Sequence, residues 1–539
     1  MTKISGSKAG LLMACAATML GAAALPAAAA PAQTVALPAT VAPFGKNVKV
    51  LGEASASSTV SFSVALKLRD YAGLVASNQA GVKMKWSDLE AKHLPTVADY
   101  DRLLNFLSDA GLTIVKKNPT RMSVDVSGPA PVVSRALGTH FSRIESEGKQ
   151  FVAADTAPRL PADLAAKIEA FGGLQPHLHF VHQHHMNTQS ATAPAYWSQA
   201  FISAYNAEGV GNGGKGTTTA IVIDSFPLIK DLKQSWEITG TPQKVGRISL
   251  IKATDRPMNP LSGEESMDAQ VASSVAPNSN VAVYASGDLY FSSLDTTFEK
   301  MIADQSEGAK LDQVSISLGL CEVLLPPAYV RREDNYFAVM ASQGSSIFVS
   351  SGDHGSDECR DGTAAPSWFA TSPNVTAVGG TTLKLKDNGK VRSEIGWSLD
   401  PSDPRNIASG GGVSTIFKTP KWQKGLGYDH RAEPDISTDG DPNTGALVII
   451  QGSGYQIAGT SLSAPIMAGL TALLNASRYS QGKEAIGLLN PALYAAAGTP
   501  AIRDITEGDN GAFEAGVGYD LVTGLGVPNI TELDKALNQ

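Results

Sequence analysis

From about residue 195 onward the sequence alternates short, wholly apolar runs with stretches of helical period, and this alternation restricts the fold more than any other feature. The runs fall at 219–223, 281–284, 314–316 and 347–350. A strand without a polar face must be covered on both sides. Short buried strands separated by helices therefore indicate a parallel sheet with helices on both faces. The region assigned to this α/β unit is 193–539. Its many glycines and prolines, 52 and 30 in the whole chain, suit a loop-rich α/β protein.

A different pattern precedes it. Val60, Phe62, Val64 and Leu66 alternate as in a half-buried strand, and Val97, Tyr100, Leu104 and Leu107 recur at helical spacing up to Gly111. Further strands are expected at 112–115, 122–126 and 141–144, with a short helix at 129–137. Strand, helix, strand, strand, helix, strand is the order of a ferredoxin-like α+β unit, assigned here to 58–175. Residues 31–57, rich in Ala, Val and Pro, read as a flexible lead-in. Residues 176–192 form a polar connection containing His177, His179, His182, His184 and His185. Such a cluster raises a metal site. No carboxylate or cysteine accompanies it in the sequence, so an exposed linker is expected.

Lys3 and Lys8 precede an apolar run over 9–25, which ends at Pro26 and an Ala-rich stretch. Residues 1–30 therefore read as a cleaved secretory signal, and the protein is expected in the medium or the periplasm. No later run is long enough to span a bilayer, so no membrane contact is expected after signal removal. A formal net charge of −8 offers no basic face for nucleic acid. A monomer is expected. Beyond the signal only Cys321 and Cys359 remain, and a lone pair in an oxidising compartment forms a disulfide.

The sharpest local signal is Gly459-Thr460-Ser461-Leu462-Ser463-Ala464-Pro465, placed between an apolar strand at 447–450 and an apolar helix at 466–474. A serine at a helix N-terminus sits where amide groups and the helix dipole favour negative charge. A plain Ser/Thr cap reads the same way. The motif is also that of subtilisin-type serines, which need a histidine base. Only His354 and His430 follow the connection, and neither begins a His-Gly-Thr-His type helix. Asp224 ends a strand much as a subtilisin aspartate would, but has no histidine to orient and reads as structural. Glu264 and Asp268, four apart on a helix face continued by Ala272 and Val275, point inward. Two inward carboxylates repel and titrate together, which is costly for structure and useful for proton transfer.

At this point the chain resembles the sedolisin (kumamolisin-like) serine-carboxyl peptidases. Five blocks carry the resemblance: Glu264 to Asp268; Ser315-Ile316-Ser317-Leu318-Gly319; Ser351-Gly352-Asp353-His354-Gly355; Gly459 to Pro465; and Asp504-Ile505-Thr506 with Gly516-Val517-Gly518-Tyr519-Asp520. The resemblance implies a subtilisin-like sheet and an N-terminal activation domain that inhibits the enzyme in cis and is cut away by it. It implies Ser461 as nucleophile, Glu264 as general base and then acid, Asp268 as its partner, and Asp353 beside the developing oxyanion. It further implies one structural Ca2+, held by carboxylates of Asp504 and Asp520 and backbone carbonyls of Ile505, Gly516 and Gly518. Substrates would be proteins or peptides. A carboxylate base, with an ordinary pKa near ~4.3, suits acidic solution. Two other readings remain: a histidine-dependent subtilisin-type enzyme using Asp224, and a catalytically inert secreted binding protein on a peptidase scaffold. Retention of Ser461, Glu264, Asp268 and Asp353 argues against the second.

Overall fold

The apolar runs pair side by side. In the computed structural model, which describes residues 33–187, 195–400, 403 and 405–539, the main sheet runs Ile248–Lys252, Asn280–Ala285, Thr218–Ile223, Gln313–Ile316, Ser346–Ser350, Thr376–Leu385 and Val391–Gly396. Ile436–Asp439 adds to it beside Thr376–Leu385. Every pairing is parallel except that of Val391–Gly396. Successive side chains enter opposite layers, as strand geometry requires. Ile347 and Val349 join Leu294, Phe298 and Phe337 of the helices Phe291–Ser306 and Pro327–Ser342. Phe348 joins Val271, Ile466 and Leu470 of the helices Glu264–Val275 and Thr460–Ser480. The expected two-layer covering is therefore present. Among the described residues no helix is long and apolar enough to cross a membrane. The expected signal over 1–30 lies outside the described residues.

The N-terminal unit has its own core of Val60, Phe62, Val64, Leu104, Leu107, Val124, Val126, Val133 and Phe171. Its antiparallel sheet runs Thr113–Lys117, Ser123–Pro129, Thr59–Leu66 and Ile168–Gly172, which is the ferredoxin-like strand order. The fourth strand differs from expectation. The segment Phe141–Ser146 instead pairs with Lys49–Glu53 and Lys149–Ala154, and Ile168–Gly172 takes the sheet position. Both segments have strand composition, and spacing alone does not tell an inserted hairpin from the closing strand. The expected flexible lead-in also contains structure, because Thr34–Ala36 pairs with Arg159–Pro161 and Lys49–Glu53 lies in the hairpin sheet.

Cys321 and Cys359 are bonded, with Cα atoms 5.0 Å apart. The bridge ties the strand Leu318–Cys321 to the loop that carries Asp353.

The two units meet through polar groups sealed from water. Arg332, 1% exposed, pairs with Asp295 at 2.9 Å and donates to Ser63 Oγ at 2.8 Å. Glu299 accepts from Thr120 and, at 3.0 Å, from Ser123. Tyr71 donates to Asp334, and Asn78 Nδ2 donates to the Ala338 carbonyl at 2.9 Å. Gly172 allows this approach, since a Cβ there would collide with Asp295, Arg332 and Ser63. Removing one partner of such a pair strands a buried charge. Arg332→Met should cost about 3–5 kcal/mol of stability in the uncleaved protein, read as a lower urea midpoint. Adding Asp295→Leu should recover most of the loss. An unchanged midpoint in Arg332→Met would show that the pair does not hold the two units together.

Candidate active site

The connection at 176–192, expected to be exposed, lies along the catalytic unit over its described part. Val181–His182 pairs antiparallel with Leu318–Cys321, and His185–Asn187 pairs antiparallel with Ser453–Ala458. The segment thus adds to two enzyme strand edges, a mode that gives main-chain hydrogen bonds irrespective of sequence. Its histidines find the carboxylates that the sequence does not place near them. His182 Nε2 lies 3.4 Å from Asp224, His184 contacts Glu264, and His185 Nε2 lies 3.1 Å from Asp353 Oδ2. His177 is buried against Phe44, and burial pushes its imidazole down to about 4. The segment is therefore built into the cleft and is not an exposed linker.

Ser461 stands in the first turn of the Thr460–Ser480 helix, where amides have no intrahelical acceptor. Its N–H donates to the Gln183 carbonyl at 3.0 Å, and its Oγ donates to the Ser317 carbonyl at 3.3 Å. Pro465 has no N–H to offer the Ser461 carbonyl four residues back. Ser317 Oγ fills that place at 3.2 Å and also donates to Asp268 Oδ1 at 3.0 Å. The proline in the motif thus links the serine turn to the carboxylate helix.

Asp353 caps the same helix: Oδ1 accepts from Thr460 N–H and Thr460 Oγ1, each at 2.7 Å. Its Oδ2 is left facing the Gln183–His184 peptide across Gly459. A Cβ at Gly459, where φ is +117°, would collide with Asp353 Oδ2, Gln183 O and His184 Cα. Glycine is needed both for that φ and for that approach.

The Glu264–Val275 helix is buried along its whole length. Glu265, not Glu264, caps it, accepting from the Gly263 amide at 3.1 Å. Glu264 is freed for the cleft, and neither carboxylate oxygen has a hydrogen bond among the described residues. Burial, and secondarily the neighbouring Glu264, holds the Asp268 carboxyl well above the usual range. Burial opposes charge on His184, but Glu264 outweighs it and raises the imidazole. Of the other two histidines, His354 bridges to Ala408 and His430 meets Lys418 at 3.1 Å. Neither takes the place of a subtilisin base. Asp224, read as structural, accepts from Asn259 at 2.8 Å and also faces His182.

Sequence reasoning missed Gln183 and Glu358. The Gln183 side chain enters a pocket at Gly319, Gly352 and Ser367 and donates to Glu358 Oε1 at 2.7 Å. Burial pushes the Glu358 carboxyl up to about 8. No motif flags it, because an isolated glutamate near Cys359 has no periodic or spacing signal.

The residues expected to hold calcium converge at the C-terminal end. The Gly518 amide donates to Asp504 Oδ2 at 2.8 Å and the Gly516 amide to Asp520 Oδ2 at 3.1 Å, with Ile505 next to Asp504. Two carboxylates and a glycine-rich loop form an oxygen-rich set suited to a hard cation.

A serine on a helix N-terminus, an inward carboxyl pair and a peptide laid over both define a serine peptidase of subtilisin-like fold. Comparison with known proteins narrows the class. A model of the pro-kumamolisin activation domain matches residues 46–176, and one of the subtilase family matches 254–497. Sedolisin of Pseudomonas sp. (strain 101) is 31% identical over 528 residues, covering 89% of this chain and 87% of that protein. Kumamolisin of Bacillus sp. (strain MN-32) is 32% identical over 497 residues, covering 85% and 86%. The structure of Pseudomonas sedolisin complexed with two molecules of pseudo-iodotyrostatin matches with a TM-score of 0.58 at 30% identity, over 65% of this chain and 99% of that one. The chain belongs to the sedolisin family of serine-carboxyl peptidases and carries its activation domain as a zymogen. Protein substrates follow from that membership.

Carboxyls raised by burial make stability fall as pH rises. A folded pKa above the unfolded value contributes stability below the unfolded pKa, and this is lost as pH rises through the folded one. For Glu358 that window runs from about 4.3, the ordinary glutamate value, to about 8. Urea unfolding of Ser461→Ala should show stability decreasing from pH 5 to 8. Adding Glu358→Gln should flatten the slope by up to about 1.4 kcal/mol per pH unit. Parallel slopes for the two proteins would refute the raised carboxyl.

Proposed function

We propose that the chain is a secreted endopeptidase that works in acid, with Ser461 as nucleophile, Glu264 as general base and then acid, Asp268 as the group that orients and tunes Glu264, and Asp353 at the oxyanion. The observation that carries this reading is the Gln183 carbonyl on the Ser461 amide, with Asp353 Oδ2 beside the same peptide. That is where a reacting carbonyl would sit, because an oxyanion needs fixed donors at its own position. Ser461 attacks that carbon and gives its proton to Glu264, which then hands it to the leaving amine. Asp353 can donate to the oxyanion only when protonated, which favours acid. Asp268, held protonated by burial, can share its proton with Glu264 without adding a second negative charge.

On this reading the connection is the first substrate and Gln183–His184 the first bond cut. In the uncleaved state Ser461 Oγ is turned to Ser317 while His184 engages Glu264, so the base is withheld from the nucleophile. Acidified full-length protein should yield a species beginning at His184, and Ser461→Ala and Glu264→Ala should each stay full length. Their catalytic losses should not add, because the two groups act as one unit. A first cut elsewhere would remove the assigned bond, and near-full activity in Glu264→Ala would remove the assigned base.

The sedolisin family binds calcium in general. For this chain the supporting residues are Asp504 and Asp520 with the backbone of Ile505, Gly516 and Gly518. The ion would tie the C-terminal loop together without taking part in the chemistry. Chelation should lower the thermal midpoint, since a ligand bound only to the native state stabilises it. Asp520→Ala should lower it similarly and be indifferent to chelator. A parent enzyme unaffected by chelator would exclude the ion.

A further inference from the structure

The connection and the catalytic unit together build a set of metal ligands that neither holds alone. His182 and His184 come from the connection and Glu264 from the buried helix, and one donor atom of each lies within 4.8 Å of the others. Glu264 is fully buried, and neither of its oxygens has a hydrogen bond among the described residues. The Nδ1 atoms of both histidines are buried without a hydrogen-bond partner as well. His184 contacts Glu264 closely but not in hydrogen-bond geometry. His184 is ion-paired to one Glu264 oxygen, while the other Glu264 oxygen and His182 Nδ1 are buried without a hydrogen bond, which is costly unless something meets them.

We propose that the uncleaved protein binds one Zn2+ ion through His182, His184 and Glu264. Two imidazoles and a carboxylate form a borderline donor set that suits zinc and is wrong for calcium, which takes oxygen ligands. A tetrahedral ion with bonds of about 2.0 Å sets its ligand atoms roughly 3.3 Å apart, so separations that now reach up to 4.8 Å must shorten while the close His184–Glu264 contact widens. Strand pairing on both sides of His182–His185 fixes the backbone from which they move. The arrangement also includes an outer partner. Histidines that bind metals give their second ring nitrogen to a carboxylate, and His182 Nε2 lies 3.4 Å from Asp224 Oδ1, itself buried and without a hydrogen-bond partner. Asp224 is in turn held by Asn259 at 2.8 Å.

The ion would latch the connection to Glu264 and keep that carboxylate from Ser461. A cut at Gln183–His184 puts His182 on the departing activation domain and His184 on a free N-terminus, so the released catalytic unit would not retain the site. The inference does not depend on Glu264 acting as a base, because its test uses a protein without the nucleophile and reads bound metal.

Full-length Ser461→Ala, stripped of metal and kept in neutral buffer, is titrated with ZnCl2 by calorimetry and analysed for zinc after dialysis. One equivalent is expected. His182→Ala and His184→Ala should each abolish stoichiometric binding, and Asp224→Asn should weaken it roughly 10–100-fold. Thermal unfolding without metal checks that each variant folds. Should a variant fail to fold, Co2+ in the Ser461→Ala protein provides an independent test. A four-coordinate visible spectrum, displaced by Zn2+, supports the site, and a six-coordinate one overturns it. Absence of stoichiometric zinc, or binding that survives both histidine changes, also overturns it.

Discussion

Exclusion of water from carboxyl groups is the constraint on which this molecule turns. The Glu264–Val275 helix lies wholly inside the protein, and its first turn brings two acids into the cleft. A buried carboxylate is unstable unless it is paired, hydrogen-bonded or protonated. The protein uses all three. Glu265 is hydrogen-bonded to the amides before its helix, Asp268 is pushed toward its protonated form, and Glu264 is paired with His184 of the connection. The same logic recurs where the activation domain docks, with Arg332 neutralising Asp295 and Glu299 raised by burial to about 7. Acid is thus the condition in which this interior is most comfortable, and also the one in which a carboxylate base is best matched to its solution.

The activation domain does more than cover a finished site. Its C-terminal connection supplies strands to two enzyme edges, a carbonyl to the Ser461 amide, a side chain to Glu358 and imidazoles to Asp224, Glu264 and Asp353. The connection thereby meets several buried polar groups of the cleft. Docking at Arg332 and Glu299 holds this segment in register from a distance. The disulfide holds the Leu318–Cys321 edge to the Asp353 loop, so the two walls that grip the connection are joined covalently.

Much of this was legible in the sequence. Apolar runs gave the parallel sheet because burial on both faces leaves a compositional trace. The four proposed catalytic residues sit in local motifs, and Asp504 and Asp520 meet one loop through the Gly518 and Gly516 amides. What escaped has a common cause, namely long-range pairing. Nothing local says that Phe141–Ser146 leaves the first sheet or that Ile168–Gly172 replaces it. A polar, histidine-rich stretch reads as exposed because its carboxylate partners lie far along the chain. For the same reason no carboxylate accompanies the cluster in the sequence, whereas in the fold Glu264 lies beside His182 and His184. Glu358 carries no motif and gained meaning only from Gln183, and Asp224, legible as a strand-end aspartate, gained its partner only from His182.

The central claim is that a carboxyl, and not an imidazole, moves the proton for Ser461. A cut at Gln183–His184 leaves four histidines, His184 and His185 at the new N-terminus and His354 and His430 beyond them. The direct measurement is kcat/KM against pH for the acid-activated enzyme and for its variant with His184, His185, His354 and His430 all changed to Gln. The account predicts one acidic optimum shared by both proteins, with the variant keeping most of the activity. A neutral optimum that disappears with the four histidines would contradict it.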